Sequence, residues 1–402
     1  MKIAIIFDAK TKGGGGFFQS LNSAIFLKRL ESKIYKINFI TTDRETMSIL
    51  KKEGLTVIYF KKILSSKIFS KLYQISLLKF IFNFFKFNNP FSSFLKKNNF
   101  DFVIFLGPSW LITQCDEHNF ISTIYDINFK LENYFPEYQS KLTFTIKNEI
   151  VNRSVNHGFR ILVDTMRSKR ELIQYYNCPE KKIIIQPFIP LLPTLEKNIE
   201  KENELKIISN LGLEGKKFLF YPAQFWSHKN HKYIVDAIEI LSKKDKNIKI
   251  VFCGTNKNNL DYIKKSIKEK NLENYFFILD FISNQEMITL YKNCIALVMP
   301  TYVARSTLPL YEAFYFKKIV LYSKDILDEE LEKLITTIDL NNPEDLSNKI
   351  IDLSKSDNFA NKKVLDAFSH YLENCNESIF LNNYKSILDE YRYQVERWKN
   401  FS

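Results

Sequence analysis

The stretch that decides the fold is Pro300 to Ser323, PTYVARSTLPLYEAFYFKKIVLYS. It follows an apolar run, Ile295 to Met299, and ends in a second one, Ile319 to Tyr322, each with the composition of a buried strand. Between them Leu308 to Phe316 has helical composition, and Ser306 and Thr307 stand where an N-cap belongs. Strand, turn and helix start together present backbone N–H groups to an anion. Glu312 falls just over one turn into that helix, where a carboxylate can accept hydrogen bonds from sugar hydroxyls beside bound phosphates. The same stretch also reads as an ordinary βαβ crossover with a solvent-facing Glu312.

Strand and helix signals alternate on both sides of this stretch. Upstream, strands are expected at Lys2–Phe7, Tyr35–Thr41, Thr56–Phe60, Phe102–Leu106, Phe120–Tyr125, Phe159–Val163 and Lys182–Gln186. A second series begins at Lys217–Tyr221 and continues through Ile248–Gly254 and Phe276–Leu279. At 402 residues the chain exceeds what one core supports, so two domains are expected. Two alternating halves imply an α/β protein of two doubly wound domains facing across a cleft. The expected division is residues 1–190, a polar linker at 191–204, residues 205–385, and a C-terminal helix at 386–402 packing back on the first domain.

Three further places carry chemistry. Gly13 to Gly16 lie between the first strand and a helix, where glycines let a ligand approach the backbone closely. The dinucleotide fingerprint fails there, because Phe18 stands where its third glycine belongs. Asp126 follows a strand, at the sheet edge where open α/β folds bind ligands, or it simply caps a loop. Lys229 precedes a helix that begins near Asn230, where a cation and free N–H groups together hold a diphosphate; the alternative is a surface lysine.

Net charge is +13, which favours phosphate-bearing partners or an anionic surface. The segment Lys61 to Lys97 holds eight lysines, nine aromatics and no acids. Such a segment reads as a docking surface for an anionic membrane, or as a buried helix pair whose lysines snorkel. No nucleic-acid-binding motif occurs. Five scattered cysteines without a CxxC point to free thiols in a reducing compartment. Ile3 to Phe7 is too short for a signal peptide, and no run of about 18 apolar residues suggests a span. The expected location is therefore cytoplasmic, peripheral on the inner face of the membrane.

The second half closely resembles the family-four retaining glycosyltransferases of the GT-B fold. The resemblance rests on YPAQFWSHKNHKYIVDAIEIL at 221–241, IVFCG at 250–254, LYKNCIALVMPTY at 290–302 and LPLYEAF at 308–314, in the family's order. SKRELIQYYNCPEKKIIIQP at 168–187 and GGGGFFQSL at 13–21 extend it into the first half. It implies transfer of a sugar from a nucleotide-diphosphate donor to a glycan acceptor, with retention and without a metal or other cofactor. Lys229 would then contact the diphosphate and Glu312 the ribose, while the backbone of Ser306, Thr307 and Leu308 faces phosphates or sugar. The backbone near Phe281 and Ile282 would meet the base, and Gly14, Gly15 and Gly16 the reacting centre or acceptor.

Several positions depart from the family pattern. Ala304 replaces the first of its paired glutamates, Gln224 its usual Arg, and Lys317-Lys318 the glycine after the helix. The first two departures are shared by a bacterial surface-polysaccharide sub-group with PTYFGPTNLPPLEA-like sequences. A His common near Asp126 is missing, its surroundings being Tyr125, Asn128 and Phe129. Asp126, Lys229 and Glu312 remain as the groups expected to serve the reaction. The expected acceptor is a lipid-linked glycan of an O-antigen, capsule or lipopolysaccharide. The alternative is an inactive nucleotide-sugar-binding protein with a regulatory or scaffolding role.

Overall fold

A computed structural model describes residues 1–10, 14–61, 89–196, 201–244, 247–304, 307–355 and 361–399. Thirteen strands are described: β1 Lys2–Phe7, β2 Lys36–Thr41, β3 Val57–Tyr59, β4 Phe102–Phe105, β5 Phe120–Thr123, β6 Arg160–Val163 and β7 Ile183–Ile185 in the first sheet, then β8 Lys217–Pro222, β9 Ile248–Cys253, β10 Phe276–Leu279, β11 Ala296–Met299, β12 Ile319–Ser323 and β13 Thr336–Ile338 in the second. The sheet orders are β3-β2-β1-β4-β5-β6-β7 and β10-β9-β8-β11-β12-β13. Every strand pairing is parallel. Parallel strands covered on both faces read as continuous apolar runs rather than alternating ones. That is why Ile3 to Phe7 and Ala296 to Met299 are buried without a break. Of the strands, β13 is the one the sequence reading missed; it spans three residues at the edge of its sheet.

In each sheet the strand order reverses beside the first strand of the series. β1 lies between β2 and β4, and β8 lies between β9 and β11. Crevices at the carboxyl ends of such switch points are where open α/β sheets bind ligands. The loops that open there are those after β1, β4, β8 and β11, and they carry most of the residues singled out above.

Contacts divide the chain into Met1–Lys130, Lys141–Gln186 and Glu377–Ser402 as one unit, and Leu131–Ser140 and Pro187–Asn376 as the other. Residues 191–204 are not a bare linker. They hold the helix Leu192–Glu196 and the start of the helix Lys201–Asn210. Glu196 accepts a hydrogen bond from Tyr315 Oη at 2.7 Å and pairs with Lys292 at 3.0 Å, and Lys292 Nζ also donates to Glu204 at 2.5 Å. These contacts tie the segment to the second unit, a pairing that charge composition alone does not reveal.

The last helix runs from Glu377 to Lys399 and belongs to the first unit. Phe380 packs on Phe26 at 6.0 Å, and Tyr391 packs on Phe102 at 4.4 Å and on Phe159 at 5.5 Å. Asn383 Nδ2 donates to Gln186 Oε1 at 2.8 Å, and Glu390 pairs with Arg160. The helix therefore fills its own sheet's flank from the far end of the sequence. Of the cationic aromatic segment Lys61 to Lys97, residues 62–88 lie outside the described residues. Its last part, Pro90–Lys97, is a helix whose Phe91 and Leu95 are buried beside Phe60 and Phe105. Among the described residues no helix is long and apolar enough to cross a membrane.

Candidate functional site

The site in the second unit is built from the loops after β8 and β11. The first loop leaves β8 at Pro222 and passes very close to Gly254. A Cβ at Gly254 would lie 2.4 Å from the Ala223 carbonyl oxygen and 2.8 Å from the Gln224 nitrogen. Both are backbone atoms, so neither can step aside. Gly254→Ala is expected to cost about 1–3 kcal/mol, as overpacking does, and to disorder the loop that carries Lys229. Urea unfolding of the variant measures the first effect; a midpoint equal to wild type would mean that the loop is not held against Gly254.

Gln224 ties its own loop to the residue Thr255 just beyond β9. Its Nε2 donates to Thr255 Oγ1 at 3.0 Å, and its Oε1 accepts from Trp226 Nε1 at 3.1 Å. Lys229, half-buried, closes a short 3-10 turn, and Asn230 turns the chain with φ 54° into the helix His231–Leu241. Tyr221 Oη donates to the Lys229 carbonyl at 2.7 Å, which pins the backbone under the lysine. The neighbouring His231 does no acid–base work. It is fully buried against Phe225 at 4.3 Å, and burial pushes its pKa down to about 3.

The second loop is joined to the first. Tyr302 N donates to the His228 carbonyl at 2.9 Å, and Thr301 Oγ1 to the same oxygen at 3.3 Å. Ser323 Oγ holds the Thr301 carbonyl at 2.7 Å, and Tyr322 Oη the Ala304 carbonyl at 2.9 Å. Thr307 caps the helix Leu308–Tyr315, accepting from Leu310 N at 3.3 Å. Leu308 is buried in the first turn, beside Pro309. Ser306 lies outside the described residues.

Glu312 is not solvent-facing: it is 9% exposed and accepts a hydrogen bond from Tyr291 Oη at 2.8 Å. Burial pushes its pKa up to about 7, against the opposing pull of that bond. Phe281 is 70% exposed beyond β10, whereas Ile282 packs on the core.

The first unit has a site of its own at the ends of β1, β4 and β5. Gly14 adopts φ 65°, which favours glycine, and starts the helix Gly15–Leu27. Gly15 has open space around its missing Cβ, and a Cβ on Gly16 would touch the Tyr125 ring at 3.4 Å. Tyr125 Oη lies 3.0 Å from Ser20 Oγ and from the Leu106 carbonyl, and 3.3 Å from the Gly16 carbonyl. That hydroxyl thus holds the glycine loop to the end of β4. A cavity of about 150 Å³ opens here, lined by Asp8, Lys10, Gly16, Ser20, Gly107 and Tyr125. Asp8 was missed by the sequence reading, although it ends the first apolar run just as Asp126 ends another. Its carboxylate accepts from Ser109 Oγ at 2.8 Å and from Thr42 Oγ1. Asp126 caps its own loop, Oδ1 accepting from Asn128 N at 2.9 Å.

The structure thus bonds the loop that carries Lys229 to Thr301 and Tyr302, while Thr307 caps the helix Leu308–Tyr315 and Glu312 lies one turn into it. Gly14 to Gly16, Asp8 and Asp126 belong to the first unit. Among the described residues no group of three or more His, Cys, Asp or Glu could hold a metal ion.

Two parallel, doubly wound α/β units with loops opening at their switch points make the GT-B fold, and solved GT-B structures match nearly the whole chain. Residues 203–367 match the family model described as glycosyl transferases group 1. The Anabaena protein HepE, solved in complex with UDP-glucose, aligns with a TM-score of 0.74 at 12% identity, covering 97% of this chain and 100% of its own. A glycosyltransferase from Rickettsia africae aligns with a TM-score of 0.69 at 18% identity, covering 96% and 98%. WaaG, a glycosyltransferase involved in lipopolysaccharide biosynthesis, aligns with a TM-score of 0.67 at 10% identity, covering 96% and 98%. No curated protein sequence matches the chain significantly.

Proposed function

We infer that the protein is a retaining, metal-independent glycosyltransferase that moves a sugar from a nucleotide-diphosphate donor to a glycan acceptor. The observation that carries this reading is the loop of Lys229, bonded through the His228 carbonyl to Thr301 and Tyr302, within the segment that matches glycosyl transferases group 1. In this reading Lys229 and the N–H groups at the start of the helix Leu308–Tyr315 neutralise the leaving diphosphate. Preorganised donors of that kind supply the largest stabilisation in such reactions. Glu312 receives ribose hydroxyls, and the backbone near Phe281 and Ile282 meets the base. The glycine loop and the cavity at Asp8 and Tyr125 take the acceptor side, with Asp126 holding the loop beside them. HepE was solved with UDP-glucose, which makes a uridine donor the first to try.

The acceptor we propose is a lipid-linked glycan of a bacterial surface polysaccharide. The support is the charge of +13 and the lysine-rich aromatic segment at 61–97. The test is a thermal-shift screen of UDP-, GDP- and dTDP-sugars in excess chelator, followed by turnover assays. A specific donor at 100 times its Kd is expected to stabilise the protein by about 2.7 kcal/mol. Stabilisation without turnover on any glycan acceptor would favour an inactive nucleotide-sugar-binding protein. Stabilisation that appears only when a divalent metal is restored would refute the metal-independent mechanism.

A further inference from the structure

One carboxylate is built into the donor loops from a distant part of the chain. Residues Leu131–Ser140 belong to the second unit although both of their flanks belong to the first. Within this strap Pro136–Tyr138 forms a single 3-10 turn. Glu137 Oε1 accepts from His228 N at 3.1 Å and also bonds His228 Nδ1. Both side chains are nearly buried, at 7% and 11% exposure. Burial works to raise the Glu137 carboxyl, but the bonds from the His228 ring and from backbone outweigh it and hold the group below its ordinary range. An ionised carboxylate is acceptor only, so Nδ1 carries the proton and the ring orientation is set. The ring stacks with Tyr138 at 5.9 Å and with Trp226 at 6.4 Å.

The strap touches the second donor loop as well. Phe135 packs on Tyr302 at 5.6 Å and edge-on to His228 at 6.1 Å. Tyr302 is the residue whose N–H holds the His228 carbonyl. One ten-residue excursion therefore grips the loop that carries Lys229 and the loop that leads to Thr307. A surface carboxylate would gain little from either bond. One that is desolvated and bonded both to an amide and to an imidazole holds its partners in a single geometry.

We propose that Leu131–Ser140 is a strap that preorganises the two donor loops, with Glu137 as the positioning residue for His228 and Lys229. This rests on the donor reading above and adds to it a residue outside the segment matched by the family model. Glu137 touches neither phosphate nor sugar in this scheme; it acts through the loop it holds.

The test combines a readout of the loop with a readout of the site. Amide exchange over residues 224–232 reports the first, because the His228 N–H is donated to Glu137. Calorimetry with UDP and with GDP reports the second. Glu137→Ala is expected to speed exchange at least tenfold and to weaken diphosphate binding about tenfold. Glu137→Gln keeps an acceptor for the amide but loses the charge. It is expected to fall between wild type and Ala, and it remains informative should the Ala variant not fold. In turnover assays the loss is expected in KM for the donor more than in kcat. Faster exchange with unchanged affinity would reduce the strap to packing. Tighter binding in either variant would make it an obstruction, and also overturns the proposal. If the wild type binds neither UDP nor GDP, the donor reading itself has failed, and that measurement separates this case from failure of the strap alone.

Discussion

Glu312→Gln is expected to make the protein more stable than wild type above pH 7, and to remove most of the stability difference between pH 5 and pH 8.5. Burial holds the Glu312 carboxyl at about 7, against an ordinary 4.5. The folded pKa therefore lies above the unfolded one. The stability this contributes is complete below pH 4.5 and is lost as pH rises through 7, where the folded state must carry a buried charge. At about 1.4 kcal/mol for each pH decade between the two values, the full effect is on the order of 3 kcal/mol. Gln has the same shape, stays neutral and still accepts from Tyr291 Oη. Urea unfolding at the two pH values, on both proteins, gives the answer. Parallel losses in wild type and variant would mean that Glu312 is not the group responsible.

The same substitution bears on the donor. Ribose hydroxyls donate best to an ionised carboxylate, so donor binding near pH 6.5 is expected to release a fraction of a proton from wild type and none from Glu312→Gln. Binding to the variant is expected to be weaker, with no new pH dependence in the rate. A variant that binds donor normally but cannot turn over would instead place Glu312 in the chemical step.

Lys229→Ala is expected to weaken nucleotide-diphosphate binding while leaving the fold in place. A charge-assisted bond to phosphate contributes about 1.5–3 kcal/mol, or roughly ten- to 150-fold in affinity. The loop itself is held through backbone atoms that alanine retains: the Lys229 carbonyl on Tyr221 Oη and the His228 carbonyl on Tyr302 N. The unfolding midpoint should therefore move little. Calorimetry with UDP on both proteins decides it, and unchanged affinity would remove Lys229 from the site.

These two residues differ in how far the sequence disclosed them. The place of Lys229 ahead of a helix is legible because everything that defines that place is local. An apolar strand, a short turn and a helix start succeed one another within about twenty residues, and the chain order alone puts a cation at the mouth. Thr307, Leu308 and the glycine loop were legible for the same reason. Glu312 was placed on the correct helix, but its burial was open between two readings. Its bond to Tyr291 comes from a different helix, and nothing in the periodicity of 308–316 tells which neighbour covers that face.

The sequence by itself determined the fold class. Apolar runs of four to six residues alternating with helices leave little besides parallel sheets, because only helices on both faces can bury such strands completely. Tertiary structure alone decided where the chain crosses between units. The bonds that assign Leu131–Ser140, residues 191–204 and Glu377–Lys399 join positions 91, 88 and 197 apart in sequence. Composition and spacing describe only what neighbours along the chain can do. Which carboxylate meets His228, and which helix covers Glu312, follows from how segments far apart in sequence pack together within the second unit.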